Sequence, residues 1–156
     1  MLEFLGPPRP RAASDAFVAK AEACFEEHGF GAWAVEVPGV ASCIGFVGLE
    51  PVSFDAPFTP AVEIGWRLAS RHWGNGYATE GARVALDHAF GTVGLAEVVS
   101  FTARGNVRSR RVMERIGMRH DPGGDFEHPR VPEGDPLRPH VLYRVRPSDS
   151  RSAARR

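Results

Sequence analysis

The sequence predicts a single mixed α/β (α+β) domain, in which helices flank one central sheet. The chain has 156 residues, the size of one ordinary domain, and a hydrophobic fraction of 43%, enough for a packed core. Helical and strand periodicities follow one another in the order helix, strands, helix, strand, helix, strand. We expect the domain to occupy residues 1–146, followed by a polar, disordered tail over 147–156.

The first half of the chain predicts one helix and three strands. Ser14 or Asp15 is placed to cap a helix that Gly29 ends. Residues 32–37 and 42–50 have strand composition and are separated by a Pro-Gly break, which predicts a hairpin. The stretch "AVEIGWRL" alternates, with four apolar side chains on one face and Glu63, Gly65 and Arg67 on the other. The four are Val62, Ile64, Trp66 and Leu68.

The second half predicts two helices and two strands. A helix follows Gly76, with an apolar face running from Ala78 to Phe90, and residues 96–103 form the next strand. Asn106 is placed to cap a short helix that Gly117 ends. Residues 121–139 are rich in proline and glycine and show neither periodicity, so we expect a long loop, and 140–145 form a last strand.

Charge and composition exclude several classes of protein. Lys and Arg number 19, as do Asp and Glu, so the formal net charge is zero and a dedicated nucleic-acid binder is not expected. The sequence contains no apolar run long enough to span a membrane and no secretory pattern at its start, which predicts a cytoplasmic protein. The 6 histidines and 2 cysteines lack ligand spacing, so no metal is expected.

The stretch "RHWGNGYATEG", residues 71–81, places two glycines directly before a helix. A helix N-terminus presents unpaired N–H groups that attract anions, and a glycine lets an anion approach the backbone closely. We therefore predict a phosphate or pyrophosphate site, with Arg71 adding charge. The main-chain donors would come from Gly74, Asn75, Gly76, Tyr77, Ala78 and Thr79. The alternative is an ordinary strand–helix turn. The spacing fits neither a Walker loop nor a dinucleotide fingerprint.

This stretch, together with "EIGWRL" before it and "GNVRSRRVMERIGM" after it, resembles the GNAT N-acetyltransferase superfamily. The resemblance is strongest to the branch with the RimJ and RimL ribosomal-protein N-acetyltransferases, and it runs from Leu5 to Val145. The first block is similar to the family's acetyl-CoA pyrophosphate loop, with the pattern Gln/Arg-x-x-Gly-x-Gly/Ala. The second is similar to the Asn-x-x-Ser helix beside the thiol end of the cofactor.

The resemblance implies a fold and a reaction. The fold is a bent mixed sheet whose fourth and fifth strands, here 61–68 and 96–103, splay apart around the cofactor. The reaction is direct attack of an amine on the thioester of acetyl-CoA, without a metal. The acceptor is a protein N-terminus or a small amine. Family members normally begin with a further strand and helix, so the resemblance also implies that the first strand is missing here. The alternative function is therefore a truncated domain that binds CoA or a partner protein with little or no turnover.

Glu63 is the candidate general base. An amine is protonated at neutral pH and must lose a proton before it attacks. Glu63 lies on the polar face of the strand that would border the cofactor, and family members often carry a glutamate there. The alternative is a solvated strand residue, and Glu50 is a second candidate base.

The resemblance also assigns donors. Main-chain N–H groups of Trp66, Arg67 and Leu68 would meet the acyl carbonyl and the pantetheine arm. Ser109 would donate to the leaving thiolate, unless it is only a polar residue in the first turn of its helix. Asn106 would both cap that helix and touch the cofactor.

Two further segments have open interpretations. "RSRR", residues 108–111, binds the ribose phosphate of CoA or is a solvated helix face. The loop with "DFEHP", which carries His128, lines the acceptor side or is a rigid surface loop. His140, at the start of the last predicted strand, is the other histidine of interest.

Overall fold

A computed structural model of the chain describes residues 10–149. The α-helices in this range are α1 (Arg11–His28), α2 (Tyr77–Asp87) and α3 (Val107–Arg115). The strands are β1 (Ala32–Val37), β2 (Ala41–Pro51), β3 (Val62–Leu68), β4 (Val98–Ala103), β5 (Arg119–His120), β6 (Phe126–Glu127) and β7 (Pro139–Val145). A π-helical turn, His88–Val93, continues α2. The predicted mixed α/β fold class is confirmed.

One mixed sheet contains all of these strands. Its order is β1-β2-β3-β4-β7-β5, with β6 also paired to β7. The pairs are antiparallel except that β3 runs parallel to β4. Within residues 10–149, β3 and β4 pair at one position, Glu63 with Val99, near the beginning of both strands. The two strands therefore separate towards their carboxyl ends, and we call this opening the gap between β3 and β4.

The two faces of the sheet differ in what covers them. One face carries the main core, in which apolar strand residues pack against α2, α3 and the turn that follows α2. Core members include Val47, Leu49, Ile64, Leu86, Val98, Met113, Val141 and Tyr143. The opposite face carries Glu50 and Glu63, which are register partners on β2 and β3. Over β2 this face is covered by α1, where the rings of Phe17 and Phe46 lie 4.6 Å apart.

The sequence predictions for individual elements need two corrections. The helix α1 begins at Arg11, before Ser14 and Asp15, and Pro10 stands at its N-cap without a side-chain cap bond. A proline suits that position because its φ is already helical and its missing N–H costs nothing there. Residues 121–139 contain a helical turn at Pro122–Gly124 and the strand β6, so the expected loop is partly regular. Two-residue strands are too short to show a periodicity.

The expectations for the two ends of the chain remain predictions. Residues 1–9 and 150–156 lie outside the described range. The prediction that a first strand is missing concerns the beginning of the chain, and the predicted polar tail falls mostly within residues 150–156, so both lie outside this range. Among the described strands, β1 lies at one edge of the sheet. The glycines predicted to end α1 and α3 do so, since Gly29 has φ of 75° and Gly117 has φ of 89°.

Candidate active site

The glycine loop, residues 71–76, leads into α2 with two left-handed residues. Gly74 has φ of 83° and Gly76 has φ of 82°, a conformation that side chains rarely adopt. A Cβ atom at either glycine would meet nothing within 4 Å, so open space borders the loop. Gly76 is the N-cap of α2 and has no side chain to satisfy the N–H groups of the first turn. The loop therefore fits an anionic group such as a pyrophosphate.

Side chains hold the glycine loop against its neighbours. Trp73 Nε1 donates to Leu68 O over 2.7 Å, which ties the loop to the end of β3. Asn75 Nδ2 donates to His72 O over 3.1 Å, so the Asn75 side chain shapes the loop from within. The guanidinium of Arg108, on α3, lies 4.9 Å from the centre of a Trp73 ring. This contact joins the two segments that carry the family resemblance.

The backbone of β3 alternates between its two neighbours. Ile64 O accepts a 2.9 Å hydrogen bond from Ser100 Oγ on β4, whereas Ala69 N donates to Ile44 O on the β2 side. Since the main-chain groups of successive strand residues point to opposite sides, those of Trp66 and Leu68 face the gap between β3 and β4. The N–H of Arg67 points towards β2. Two of the three predicted main-chain donors are thus placed at the gap.

Glu50 and Glu63, which we call the carboxyl pair, lie side by side on β2 and β3. Their side chains share a hydrogen bond, and Lys20 Nζ on α1 lies 2.7 Å from Glu50 Oε2. Burial, the hydrogen bond with Glu50 and the negative charge of Glu50 raise the pKa of Glu63 to about 8, against smaller opposing effects of Lys20 and Arg130. Glu63 therefore keeps its proton in most molecules at neutral pH. Glu63 is half-buried, which does not match the solvated alternative.

Asn106 organises the beginning of α3. Its Oδ1 accepts from the N–H of Ser109 over 3.3 Å, which confirms the predicted cap. Its Nδ2 donates to Ser109 Oγ over 3.1 Å and to Thr102 Oγ1 over 2.9 Å. Because the Ser109 oxygen accepts this bond, its hydroxyl proton is directed to another acceptor. The geometry is compatible with a donor role for Ser109.

The arginines of residues 108–111 are partly engaged by the protein itself. Arg108 stacks on Trp73, and Arg110 donates to Tyr143 Oη over 3.3 Å and to Arg104 O over 3.2 Å. Arg108 and Arg110 therefore contact other parts of the protein, and the interpretation of residues 108–111 as a solvated helix face does not hold for these two arginines.

A group of six rings, which the sequence did not single out as a unit, covers the sheet beyond the carboxyl pair. We call it the aromatic cluster, and its members are Phe54, Phe58, Phe101, Phe126, His128 and His140. The "DFEHP" motif and His140 pointed to part of it. No sequence pattern singled out Phe54 and Phe58, because they lie in an irregular segment between β2 and β3 that has no helical or strand periodicity.

Both histidines of the aromatic cluster have lowered pKa values and are therefore neutral at neutral pH. Burial, helped by the nearby His140 and Arg130, lowers the pKa of His128 to about 4. Burial also lowers the pKa of His140. At neutral pH the cluster is therefore an uncharged surface.

A cavity of about 530 Å³ lies elsewhere, between β1 and α2. Trp33, Val35, Tyr77, Val84 and His88 are among the residues that line it. It is on the opposite side of the sheet from the carboxyl pair, since Trp33 is the register partner of the core residue Val47.

Among the described residues, no group of His, Cys, Asp and Glu is placed to hold a metal. No helix in residues 10–149 combines the length and apolar character needed to cross a membrane.

Comparison with known sequences points to one family. A family model described as an acetyltransferase (GNAT) domain matches residues 1–119. The FsC-acetyl coenzyme A-N(2)-transacetylase of Aspergillus fumigatus is 40% identical over an alignment that covers 56% of this chain and 42% of that protein. The chain spans about half the length of the curated relatives it matches, 55% of one and 42% of another.

Solved structures show the same architecture. An acetyltransferase from Agrobacterium tumefaciens is 30% identical, with a TM-score of 0.68 over 92% of this chain and 77% of that one. RimJ of Mycobacterium smegmatis, solved in complex with CoA-disulfide, has a TM-score of 0.70 over 88% of this chain and 62% of that one. Its sequence is 23% identical, so this likeness concerns the fold.

Proposed function

Because this chain belongs to the GNAT family of acetyltransferases, we propose that it transfers the acetyl group of acetyl-CoA directly to an amine. One observation carries the proposal. The glycine loop, the gap between β3 and β4 and the capped start of α3 lie next to one another, joined by the Trp73–Leu68 and Arg108–Trp73 contacts. This arrangement offers an anion site at one end and a slot between two strands at the other.

The glycine loop and the first turn of α2 would hold the pyrophosphate of CoA. Main-chain N–H groups from Gly74 to Thr79 supply donors, the helix end supplies partial positive charge, and Arg71 adds a full charge. Main-chain groups of Trp66 and Leu68 would meet the pantetheine arm and the acyl oxygen, as donors fixed in place before the reaction. Acetyl-CoA itself supplies an activated thioester, whose carbonyl carbon accepts the amine and whose thiolate leaves.

Glu63 would remove the proton from the attacking amine. With its pKa raised to about 8, Glu63 is ionised in roughly a tenth of molecules at pH 7. A base with a pKa near the operating pH combines sufficient basicity with a useful ionised population. Glu50, which is hydrogen-bonded to Glu63, is the alternative base. Ser109, oriented by Asn106, would donate to the leaving thiolate.

The proposed acceptor is a protein N-terminus or a small amine. The alternative is a domain that binds CoA or a partner without turnover. A cytoplasmic location, expected from the sequence, completes the proposal.

A thiol-release assay tests the proposed function. The protein is incubated with acetyl-CoA and a panel of amines that includes N-terminal peptides, and free CoA is followed over pH 6–9.5. We expect amine-dependent release that rises through about pH 8, and a Glu63→Gln variant that loses turnover most at neutral pH and less at high pH, where more of the amine is already neutral. Calorimetry on the same variant controls for binding. CoA binding without release for any amine would establish the non-catalytic alternative, and a wild-type pH profile in Glu63→Gln would move the base to Glu50.

A further inference from the structure

We infer that the aromatic cluster is the acceptor subsite, and that the acceptor it selects is a primary amine bearing an aromatic ring. This inference rests on the proposed function and narrows it to a substrate class. It is built from the position of the cluster, its exposure to solvent and the charges around it.

Strand register places the cluster on the same face of the sheet as the carboxyl pair. Glu63 is the register partner of Val99, and Phe101 follows two residues later on β4, so both side chains point to the same face. Ala103 on β4 is the partner of His140, and His140 is the partner of Phe126 on β6. A molecule lying on the cluster therefore has the proposed base at its edge.

The rings of the cluster remain open to solvent although they touch one another. The Phe101 ring centre lies 5.6 Å from that of Phe54, 5.9 Å from Phe58 and 5.5 Å from Phe126. In spite of these neighbours each ring in the cluster is only half-buried, whereas the core residues beneath, such as Val99 and Leu142, are 0–1% exposed. Rings from β4, β6, β7 and the segment before β3 thus form one apolar surface that can bury a further ring.

Charges around the cluster favour an amine at the end next to the carboxyl pair. The two histidines are neutral at neutral pH, so the surface neither repels an ammonium group nor holds a carboxylate. The carboxyl pair carries a negative charge that attracts the ammonium before it loses its proton.

Further charged groups border this surface. Arg130 donates to Ser53 Oγ over 2.8 Å, and its guanidinium carbon lies 5.7 Å from the centre of the Phe54 ring. These two contacts hold Arg130 at one edge of the aromatic cluster. Glu127 is paired with Arg138 over 3.2 Å and is exposed. A molecule with an amine at one end and a flat apolar group at the other matches this pattern, because exposed ring faces stack on rings.

Competition between matched acceptors tests the inference. The acceptors are 2-phenylethylamine, 2-cyclohexylethylamine and ethanolamine, with saturating acetyl-CoA. We expect kcat/KM for the phenyl amine to exceed that for ethanolamine by on the order of tenfold or more, with the cyclohexyl amine in between. Equal values for the phenyl amine and ethanolamine would overturn the inference while leaving the proposed function intact.

Substitutions in the aromatic cluster test whether its rings cause the preference for the phenyl amine. Phe58→Ala and Phe126→Ala should each lower the phenyl-to-ethanolamine ratio several-fold, while Val84→Ala, an exposed apolar residue on α2, should keep the wild-type ratio. An unchanged ratio in both phenylalanine variants would overturn the inference.

Calorimetric titration of the CoA-loaded protein with 2-phenylethylamine separates binding from turnover. Heat of binding that Phe58→Ala abolishes, in a protein that turns over no amine, would support the subsite and refute the proposed function. The absence of binding to the CoA-loaded wild type, together with turnover of ethanolamine, would refute the subsite alone.

Discussion

At the scale of residues, the carboxyl pair is an unusual feature because two acids stand opposite each other on paired strands. Like charges in this position destabilise a sheet, and the pair avoids the repulsion by keeping a proton. Lys20, the only lysine in the sequence, bonds to the outer member of the pair. The arrangement keeps an acid–base group at the sheet surface at the expense of stability at high pH.

Stability should therefore depend on the ionisation of Glu63. The folded chain keeps the Glu63 proton up to a pKa of about 8, while the unfolded chain releases it near 4.5. The contribution of this proton is fully present below the unfolded pKa and is lost as pH rises through the folded one. Glu63→Gln has no proton to lose, so it should gain stability relative to wild type between pH 5 and pH 9, on the order of 1–3 kcal/mol. Urea denaturation at both pH values measures the difference, and an equal gap at both would contradict the shared proton.

Lys20 should set the pH at which the pair releases its proton. Its positive charge favours the ionised carboxyl pair and lowers the pKa of Glu63. Lys20→Met should therefore move the rising limb of the pH–rate profile to higher pH, by roughly a few tenths of a unit because the ion pair is exposed. Lys20→Arg is the matched control and should restore the wild-type limb. A limb that does not move in Lys20→Met would show that the lysine acts on stability alone.

At the scale of elements, the glycine loop depends on backbone conformation rather than on side chains. Gly76 adopts a left-handed φ and begins α2 without a capping side chain, so the first-turn N–H groups remain available to a ligand. By contrast, Asn106 caps α3 with its own side chain and occupies the N–H of Ser109. The start of α2 therefore leaves its first-turn N–H groups open to a ligand, whereas the start of α3 uses one of its own N–H groups for its cap.

A pair of glycine variants separates ligand binding from backbone strain. Gly76→Ala should weaken CoA binding by about tenfold or more, because its Cβ enters the open space that borders the loop and disturbs charge-assisted bonds. Gly94→Ala is the control, since Gly94 also has a left-handed φ, of 79°, with nothing within 4 Å, but follows the π-helical turn. Both variants should lose about 1 kcal/mol of stability from the strained φ. Calorimetry that finds the same CoA affinity in both would remove the glycine loop from the binding site.

At the scale of the whole molecule, much of the fold follows from local sequence. The strand 32–37 was predicted with its observed bounds, the helix after Gly76 came from its apolar periodicity, and the helix start at Asn106 came from its capping chemistry. The carboxyl pair was predicted as two separate candidates, because register between β2 and β3 is a tertiary property that spacing does not reveal. The aromatic cluster was missed for the same reason: its rings come from distant segments, and the short strands β5 and β6 exist only through pairing with β7.

The sheet of this molecule is two antiparallel parts that meet at the Glu63–Val99 position and at the Ser100–Ile64 hydrogen bond. The consequence is a residue-by-residue alternation in deuterium uptake along β3. The amides of Gly65 and Arg67 point towards β2 and should exchange slowly in all conditions, whereas those of Trp66 and Leu68 face the gap and should exchange quickly until CoA is added. Amide exchange followed by NMR would show this even–odd pattern. Uniform protection along β3 in the free protein would mean that the two parts of the sheet are closed against each other in solution.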